Sequence, residues 1–426
     1  MAASSSSQRG GGELILAAPH GRPITAYDAL TGDVLAEFPA ANTPRHGLAV
    51  ATGPGGTAFV AASHVCPATG AGSIRLLQWW SPAPARELPV PELVAALVAA
   101  PYGTHLLAGG VSGCVHAIAL PSGGVASSFR AHGGGAVSCL ALSDDGSLLV
   151  SGGDDGGVAV FPLIRVLDAD DASVASAADN VDHAIYRVAA YVAPVTSVVC
   201  GRGGCNAVVA SASADGTCKV WRLADGAHLR TLALPCTALS LALDPTSSNL
   251  YAGGSDGRVH VASLNSPCTK AVTTATASHS SEGSTNAAAL VAVALANGCR
   301  NLVSCSEDGE VRVWDLTPGL FLANAFWASG AVSGALVVRR VPGELARGGG
   351  ERFRLHDGMA WTRARELADM GQLLRAEEEE MTTSVEPIEM NAGVYRRCLR
   401  LLLRETTVVA NGGRRDGAKD GSDVSG

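Results

Sequence analysis

Aspartate side chains that recur through the middle of the chain are the groups best suited to a catalytic or metal-binding site. They are Asp154, Asp155, Asp215, Asp256 and Asp308. Carboxylates gathered at one point could bind a divalent cation or transfer protons. All except Asp154 directly precede a glycine, however, and Asp-Gly between apolar runs is a strong hairpin signal because glycine accepts a positive φ cheaply. The sequence therefore predicts that these carboxylates are spread over separate turns, each with a structural role.

The eleven cysteines show no paired framework. Cys200 and Cys205 bracket the segment GRGG, but no second Cys or His pair is spaced to complete a zinc site. Dispersed thiols are typical of a reduced, intracellular protein in which many cysteines are simply buried small residues. We therefore predict reduced thiols and no bound metal.

Signals for catalysis or cofactor binding are missing from the sequence. There is no phosphate-binding G-x-x-x-x-G-K-[ST] segment and no pair of histidines at metal-binding spacing. Glycine triplets at 10–12, 133–135 and 348–350 lack the strand-to-helix context of a dinucleotide site. We expect no catalytic residues, no cofactor and no enzymatic activity.

Charge and hydropathy narrow the classes of partner. The net charge of −8 argues against an electrostatic nucleic-acid binder, which would normally be basic. The most apolar stretch, 93–100, is far shorter than a membrane span, and the N-terminus lacks the apolar core of a secretory signal. The sequence therefore predicts a soluble protein of the cytosol or nucleus.

The predicted turns belong to a repeated sequence motif, and the strands on either side of each turn must position it. It reads SASADGTCKVWRL at 211–223, AGGSDGRVHVASL at 252–264 and SCSEDGEVRVWDL at 304–316, with looser copies at 108–120 and 151–163. Small residues, a tight turn and alternating apolar residues predict two paired strands in each copy. The predicted turn residues are Gly113, Asp155, Gly156, Asp215, Gly216, Asp256, Gly257, Asp308 and Gly309.

The spacing of the turn glycines indicates the architecture. It is 43, 60, 41 and 52 residues, and a period of about 40–45 residues with four strands per unit is typical of WD-repeat β-propeller blades. An acidic insert at 164–183 and a Ser/Thr-rich segment at 273–286 account for the two long intervals. The first blade lacks an inner strand, and 331–341 forms one strand too many, so we expect the late strand to close the ring.

The predicted fold is therefore an all-β, seven-bladed WD-repeat β-propeller with a C-terminal α-helical extension. Its domains are a disordered tail at 1–12, the propeller at 13–343, the helical extension at 344–410 and a disordered tail at 411–426.

Two amphipathic helices are predicted in the extension, at 356–381 and 394–405. Neither can bury its apolar side alone, so the propeller or another subunit must cover it. The arginines of the second helix leave binding of RNA or of an acidic partner as the alternative. The candidate partner-binding residues are Trp361, Leu367, Leu374, Tyr395, Leu399, Leu402 and Leu403.

Several of these segments resemble one family. VVASASADGTCKVWRLADG and LDPTSSNLYAGGSDGRVHVASL, within 194–264, are similar to the Ipi-type WD-repeat subunits of the Rix complex. SGGDDGGVAVFPLIRVLD with its acidic insertion, and LVSCSEDGEVRVWDL with its helical tail, resemble the same family.

The resemblance implies a non-enzymatic scaffold in the nucleolus and nucleoplasm. Members of this family support maturation of the large (60S) ribosomal subunit and processing of the internal transcribed spacer of its rRNA, and some are linked to DNA replication licensing. The implied partners are a Rix/PELP-like scaffold, a Midasin-type AAA ATPase and the pre-60S particle, with rRNA contact indirect or weak, no membrane, and a dimeric arrangement within the complex. In a plant, disturbed ribosome production would act on meristem growth and so on development.

Two other classes stay open: a substrate receptor of a cullin ubiquitin ligase, and a Gβ-like signalling scaffold. Most Trp-Asp endings are replaced here, as in Phe161-Pro162 and Ala262-Ser263. This replacement argues against the buried Asp–His networks of strong WD repeats.

Overall fold

The computed structural model describes residues 13–39, 42–52, 58–66, 69–78, 84–120, 122–167, 183–265, 272–278, 288–317 and 320–339. The predicted tails and the helical extension lie outside these residues.

Strands in the described residues form seven four-stranded antiparallel sheets, as the repeat spacing predicted. The first three blades contain β1 (Glu13–Pro19), β2 (Ile24–Asp28) and β3 (Val34–Phe38); β4 (Leu48–Thr52), β5 (Ala58–Val65), β6 (Gly72–Gln78) and β7 (Pro84–Pro89); and β8 (Val94–Ala99), β9 (His105–Gly110), β10 (Cys114–Ala119) and β11 (Val125–Arg130).

The next two blades share this pattern. They contain β12 (Val137–Leu142), β13 (Leu148–Gly153), β14 (Gly157–Pro162) and β15 (Tyr186–Ala189); and β16 (Val195–Cys200), β17 (Val208–Ser213), β18 (Thr217–Arg222) and β19 (His228–Ala233).

The last two blades and the final strand complete the set. They are β20 (Ala238–Leu243), β21 (Asn249–Gly254), β22 (Arg258–Ser263) and β23 (Val272–Ser278); β24 (Leu290–Ala296), β25 (Asn301–Ser306), β26 (Glu310–Asp315) and β27 (Phe321–Trp327); and β28 (Val332–Arg339).

Strand β28 completes the first blade, as its sequence predicted. It pairs antiparallel with β1, with Leu16 opposite Leu336. The inner strands β28, β4, β8, β12, β16, β20 and β24 then contact one another in that order, and β24 returns to β28. The ring is therefore closed: each inner strand ends its own sheet and packs against the inner strands of both neighbouring blades.

Small residues on the second strand of each blade allow neighbouring blades to pack. These strands are buried on both sides; all six residues of β13, for example, are buried. An added Cβ at Gly152 would lie 2.6 Å from Val195 Cγ1 of the next blade, and one at Gly109 would lie 2.7 Å from Val137 Cγ1. Close contact between blades therefore requires glycine at these positions, which accounts for part of the high glycine content.

The first predicted insertion lies within the fourth blade, between β14 and β15, and the second begins in the outer strand of the sixth blade. The insert at 164–183 begins within a short helix, α1 (Leu163–Leu167), whose Leu163 and Val166 are buried. The segment at 273–286 begins within β23, so part of it is an outer strand and the insertion is shorter than expected. The described residues also contain the 3-10 helices Pro101–Gly103 and Gly204–Asn206. None of the helices in the described residues has the length and apolarity needed to cross a membrane.

Candidate functional site

The turns between the second and third strands of the blades define one face of the ring, which we call the turn face. Their glycines have positive φ, with values of 86° at Gly113, 73° at Gly156, 81° at Gly216, 72° at Gly257 and 100° at Gly309. An added Cβ at Gly156 would approach Tyr191 O within 2.2 Å. Both the backbone conformation and the space require glycine at this turn.

The aspartates before these glycines stabilise the turns. Asp155, Asp215, Asp256 and Asp308 each accept a hydrogen bond at Oδ1 from the backbone N–H two residues later, at 2.8–3.2 Å. The four carboxylates lie in four different blades. They therefore do not form a shared catalytic or metal site.

Asp155 also joins a buried network in the fourth blade. Its Oδ1 accepts a hydrogen bond from His132 Nδ1 at 2.9 Å, while His132 Nε2 lies 2.9 Å from Ser151 Oγ. Burial lowers the pKa of His132, although Asp155 opposes this effect. The expectation that replaced Trp-Asp endings would remove such networks is therefore wrong for this blade, because Phe161 takes no part in the hydrogen bonds.

The fifth blade builds a different network from a tyrosine. The Tyr191 hydroxyl donates to Ser211 O at 2.7 Å and accepts from Lys219 N at 2.9 Å. Trp221 Nε1 donates to Ser211 Oγ at 2.9 Å, and Lys219 Nζ lies 4.7 Å from the centre of the Tyr191 ring. Burial raises the pKa of Tyr191, so the hydroxyl stays protonated as a structural donor.

The sixth blade brings together three side chains that their sequence positions do not suggest. His260 Nε2 lies 3.1 Å from Asp256 Oδ2 and 3.4 Å from Cys236 Sγ. Only the Asp256 turn could be recognised in the sequence, because Cys236 precedes β20 and His260 lies within β22.

A histidine extends across the central channel. His46, just before β4, places Nε2 2.9 Å from Thr196 O of the fifth blade. Its own backbone oxygen accepts from Leu97 N at 2.8 Å. The residue as a whole is half-buried, and burial of its imidazole lowers its pKa to about 4. His46 is therefore neutral at pH 7.

A pocket of about 340 Å³ lies at the ends of the inner strands opposite the turn face. Glu13, Asp144, Arg202 and Asp244 are its charged residues. Asp144 accepts hydrogen bonds from Gly203 N at 3.0 Å and Gly204 N at 2.6 Å. Burial opposes ionisation of Asp144, but these backbone donors prevail and lower its pKa. The pocket is thus mainly acidic.

Apolar side chains are exposed along one outer strand. On β27, Phe321 is 61% exposed, Leu322 51% and Trp327 64%. Asn324 of the same strand donates to Leu30 O of the first blade at 2.9 Å. Exposed large apolar groups on an ordered strand are typical of a surface that contacts another protein.

The remaining predicted positions have different outcomes. Cys200 ends β16, and burial raises its pKa to about 12, so it is an unreactive strand thiol. Cys205 lies in the 3-10 helix Gly204–Asn206. The candidate partner-binding residues lie outside the described residues; they are Trp361, Leu367, Leu374, Tyr395, Leu399, Leu402 and Leu403.

A comparison with protein families matches three segments to the WD domain, G-beta repeat. The segments are 123–161, 186–222 and 276–315. The first two begin in the outer strand of one blade, β11 and β15, and continue through three strands of the next blade. Each sequence repeat therefore contributes strands to two neighbouring blades. For the same reason the last strand, β28, pairs with β1 in the first blade.

Curated relatives match a larger part of the chain. Protein ROOT INITIATION DEFECTIVE 3 of Arabidopsis thaliana is 34% identical over 293 residues, which are 68% of this chain and 63% of the relative. WD repeat-containing protein 18 of Danio rerio is 30% identical over 239 residues, 53% of this chain and 51% of the relative. Pre-rRNA-processing protein crb3/ipi3 of Schizosaccharomyces pombe is 27% identical over 173 residues, 40% of this chain and 38% of the relative.

The matched part of the chain thus spans less than two thirds of each of these relatives. The relatives agree with the resemblance that the blade motifs indicated. The chain is a seven-bladed β-propeller that contains WD repeats, and its similarity to the Ipi-type pre-rRNA-processing proteins is confirmed.

Proposed function

We propose that this protein is a non-enzymatic WD-repeat scaffold that acts in processing of precursor rRNA and in biogenesis of the large ribosomal subunit. The observation that carries the proposal is the similarity to relatives named for pre-rRNA processing, together with the match to the Arabidopsis protein over 68% of this chain.

The architecture supports a scaffold role. A closed ring holds its two faces and its outer strands in fixed positions, so several partners can bind at once. The exposed side chains of β27, with Trp327 64% exposed, suit contact with a protein partner. The net charge of −8 and the acidic pocket favour protein over rRNA as the directly bound partner.

The specific partners follow from the resemblance. They are a Rix/PELP-like scaffold and a Midasin-type AAA ATPase on the pre-60S particle, in the nucleolus and nucleoplasm. The predicted helices at 356–381 and 394–405 would drive assembly through their apolar sides, and they would allow a dimeric arrangement within the complex.

Sedimentation of a nuclear extract tests the proposal. The tagged full-length chain is separated on a sucrose gradient, and co-purifying proteins are identified by mass spectrometry. We expect it in fractions of 60S-sized precursors, together with Rix/PELP-like and Midasin-like proteins. An untagged extract provides the control for background. A light peak carrying cullin adaptors would support a ubiquitin-ligase receptor, and a light peak with signalling partners would support a Gβ-like scaffold; either contradicts the proposal.

A further inference from the structure

We propose that Cys236, Asp256 and His260 form a binding site for a divalent transition-metal ion of the zinc class on the turn face of the sixth blade. One sulfur, one carboxylate oxygen and one imidazole nitrogen lie within 4.8 Å of one another. These are the three kinds of ligand that Zn²⁺ takes from proteins.

The spacing of the three ligand atoms suits a single ion. His260 Nε2 is 3.4 Å from Cys236 Sγ and 3.1 Å from Asp256 Oδ2. Adjacent ligands in a tetrahedral zinc site with ordinary bond lengths are about 3.3–3.6 Å apart. The two separations from His260 Nε2 are therefore within a few tenths of an ångström of these values, and the sulfur and carboxylate oxygen lie within 4.8 Å of each other.

The backbone supplies a floor beneath the cluster. An added Cβ at Gly254 would lie 2.3 Å from Asp256 Oδ1, 2.6 Å from Cys236 Sγ and 3.0 Å from His260 Nε2. All three side chains thus converge above a residue that has no side chain of its own. The Asp256 side chain is 31% exposed, which leaves a path for an ion and room for a water as fourth ligand.

Electrostatics also favour a cation at this point. The His260 side chain is only 2% exposed, and its Nδ1 has no hydrogen-bond partner among the described residues. A divalent ion would balance the charges of one thiolate and one carboxylate at this point.

The fourth blade shows the corresponding arrangement without a thiol. There His132 bridges Asp155 and Ser151 at 2.9 Å to each, which satisfies both ring nitrogens. In the sixth blade both Cys236 Sγ and Asp256 Oδ2 contact His260 through its Nε2. The thiol, carboxylate and imidazole at one point form a ligand set that the His132 network of the fourth blade lacks.

Cobalt substitution tests this site directly. The full-length protein, stripped of metal by a chelator, is titrated with Co²⁺ and then with Zn²⁺. We expect a stoichiometric thiolate-to-cobalt charge-transfer band that Zn²⁺ displaces. Cys236→Ser and His260→Gln should each abolish the band, whereas Cys114→Ser, a half-buried thiol on β10, and Asp215→Asn, the turn aspartate of the fifth blade, should keep it.

X-ray absorption at the zinc edge of the wild-type protein gives a second measurement that needs no variant. One sulfur ligand and a remainder of nitrogen and oxygen ligands would support the proposal. A spectrum with nitrogen and oxygen alone, the absence of any cobalt band, or a band that persists in Cys236→Ser would overturn it.

Discussion

Burial decides the chemistry of individual side chains in this ring, and His46 shows how. Its imidazole reaches Thr196 across the channel, and surrounding protein disfavours the charged form. Its pKa is about 4 in the folded protein, against about 6.5 in an unfolded chain. Between these two values the unfolded state binds the proton and the folded state does not. Stability is therefore complete above pH 6.5 and is lost as the pH falls towards 4.

Replacement of this imidazole should remove part of the pH dependence of stability. His46→Gln keeps an N–H donor for Thr196 O but does not titrate. We expect the free energy of unfolding of the wild type to fall between pH 7 and pH 4 by up to about 3 kcal/mol more than that of the variant. Because His46 as a residue is only half-buried, this figure is an upper bound. Denaturant titrations at several pH values measure it, and parallel curves for the two proteins would contradict the prediction.

Ser211 is a second residue whose effect can be predicted. Its hydroxyl accepts a hydrogen bond from Trp221 Nε1 at 2.9 Å and lies 2.8 Å from the Tyr191 hydroxyl. All three side chains are buried in the fifth blade. Ser211→Ala leaves the indole N–H buried without this acceptor and should lower the free energy of unfolding by about 1–3 kcal/mol.

The matched control for Ser211 is Ser255→Ala, at an exposed turn position of the next blade. This change should stay within about 0.5 kcal/mol of the wild type. Equal losses for the two alanine variants in chemical denaturation would show that the network does not stabilise the blade.

At the scale of elements, the ring depends on a strand from the far end of the propeller. β28 covers β1, whose Ile15, Leu16 and Ala17 are fully buried. Without β28, β1 would expose both an apolar surface and a row of unpaired backbone groups. Closure by a distant strand therefore ties the two ends of the ring into one cooperative unit.

Truncation should reveal this dependence. A chain that ends at Gly330 lacks β28, and we expect it to aggregate or to lose its cooperative thermal transition. A chain that ends at residue 345 keeps β28 and should remain soluble, with a transition like that of the full-length protein. Size-exclusion chromatography and circular dichroism compare them, and a well-folded shorter chain would refute the role of β28 in closure.

At the scale of the whole molecule, the propeller provides surfaces and the C-terminal segment is proposed to provide assembly. Changing Leu399, Leu402 and Leu403 together to aspartate should release the partners that co-sediment with the protein, because charge cannot be buried in an apolar interface. The ring should remain folded, as judged by its thermal transition.

Arginine variants supply the control for this experiment. Arg396→Glu and Arg400→Glu alter the basic side of the same predicted helix and should retain the protein partners. Loss of partners or of precursor rRNA in the arginine variants alone would instead favour an acidic partner or RNA at this helix. Retention in all variants would mean that this helix docks on its own propeller.

The repeat, the turns and the closing strand of this protein can be predicted from its amino-acid sequence alone. These follow from local chemistry: Asp-Gly pairs such as Asp215-Gly216 fix a hairpin within a few residues, and strand patterns can be counted along the chain. A missing inner strand at the start and an extra strand at the end implied a closed ring before any contact was known.

The pairs of polar groups that meet depend instead on the packing of distant segments. His132 and Asp155 are 23 residues apart, Cys236 and His260 are 24 apart, and His46 reaches Thr196 over 150 positions. Such pairs depend on how blades pack and on which groups lose water, and no local pattern encodes that. Burial then sets whether a histidine is neutral, whether a thiol is unreactive and whether three ligands converge on one point.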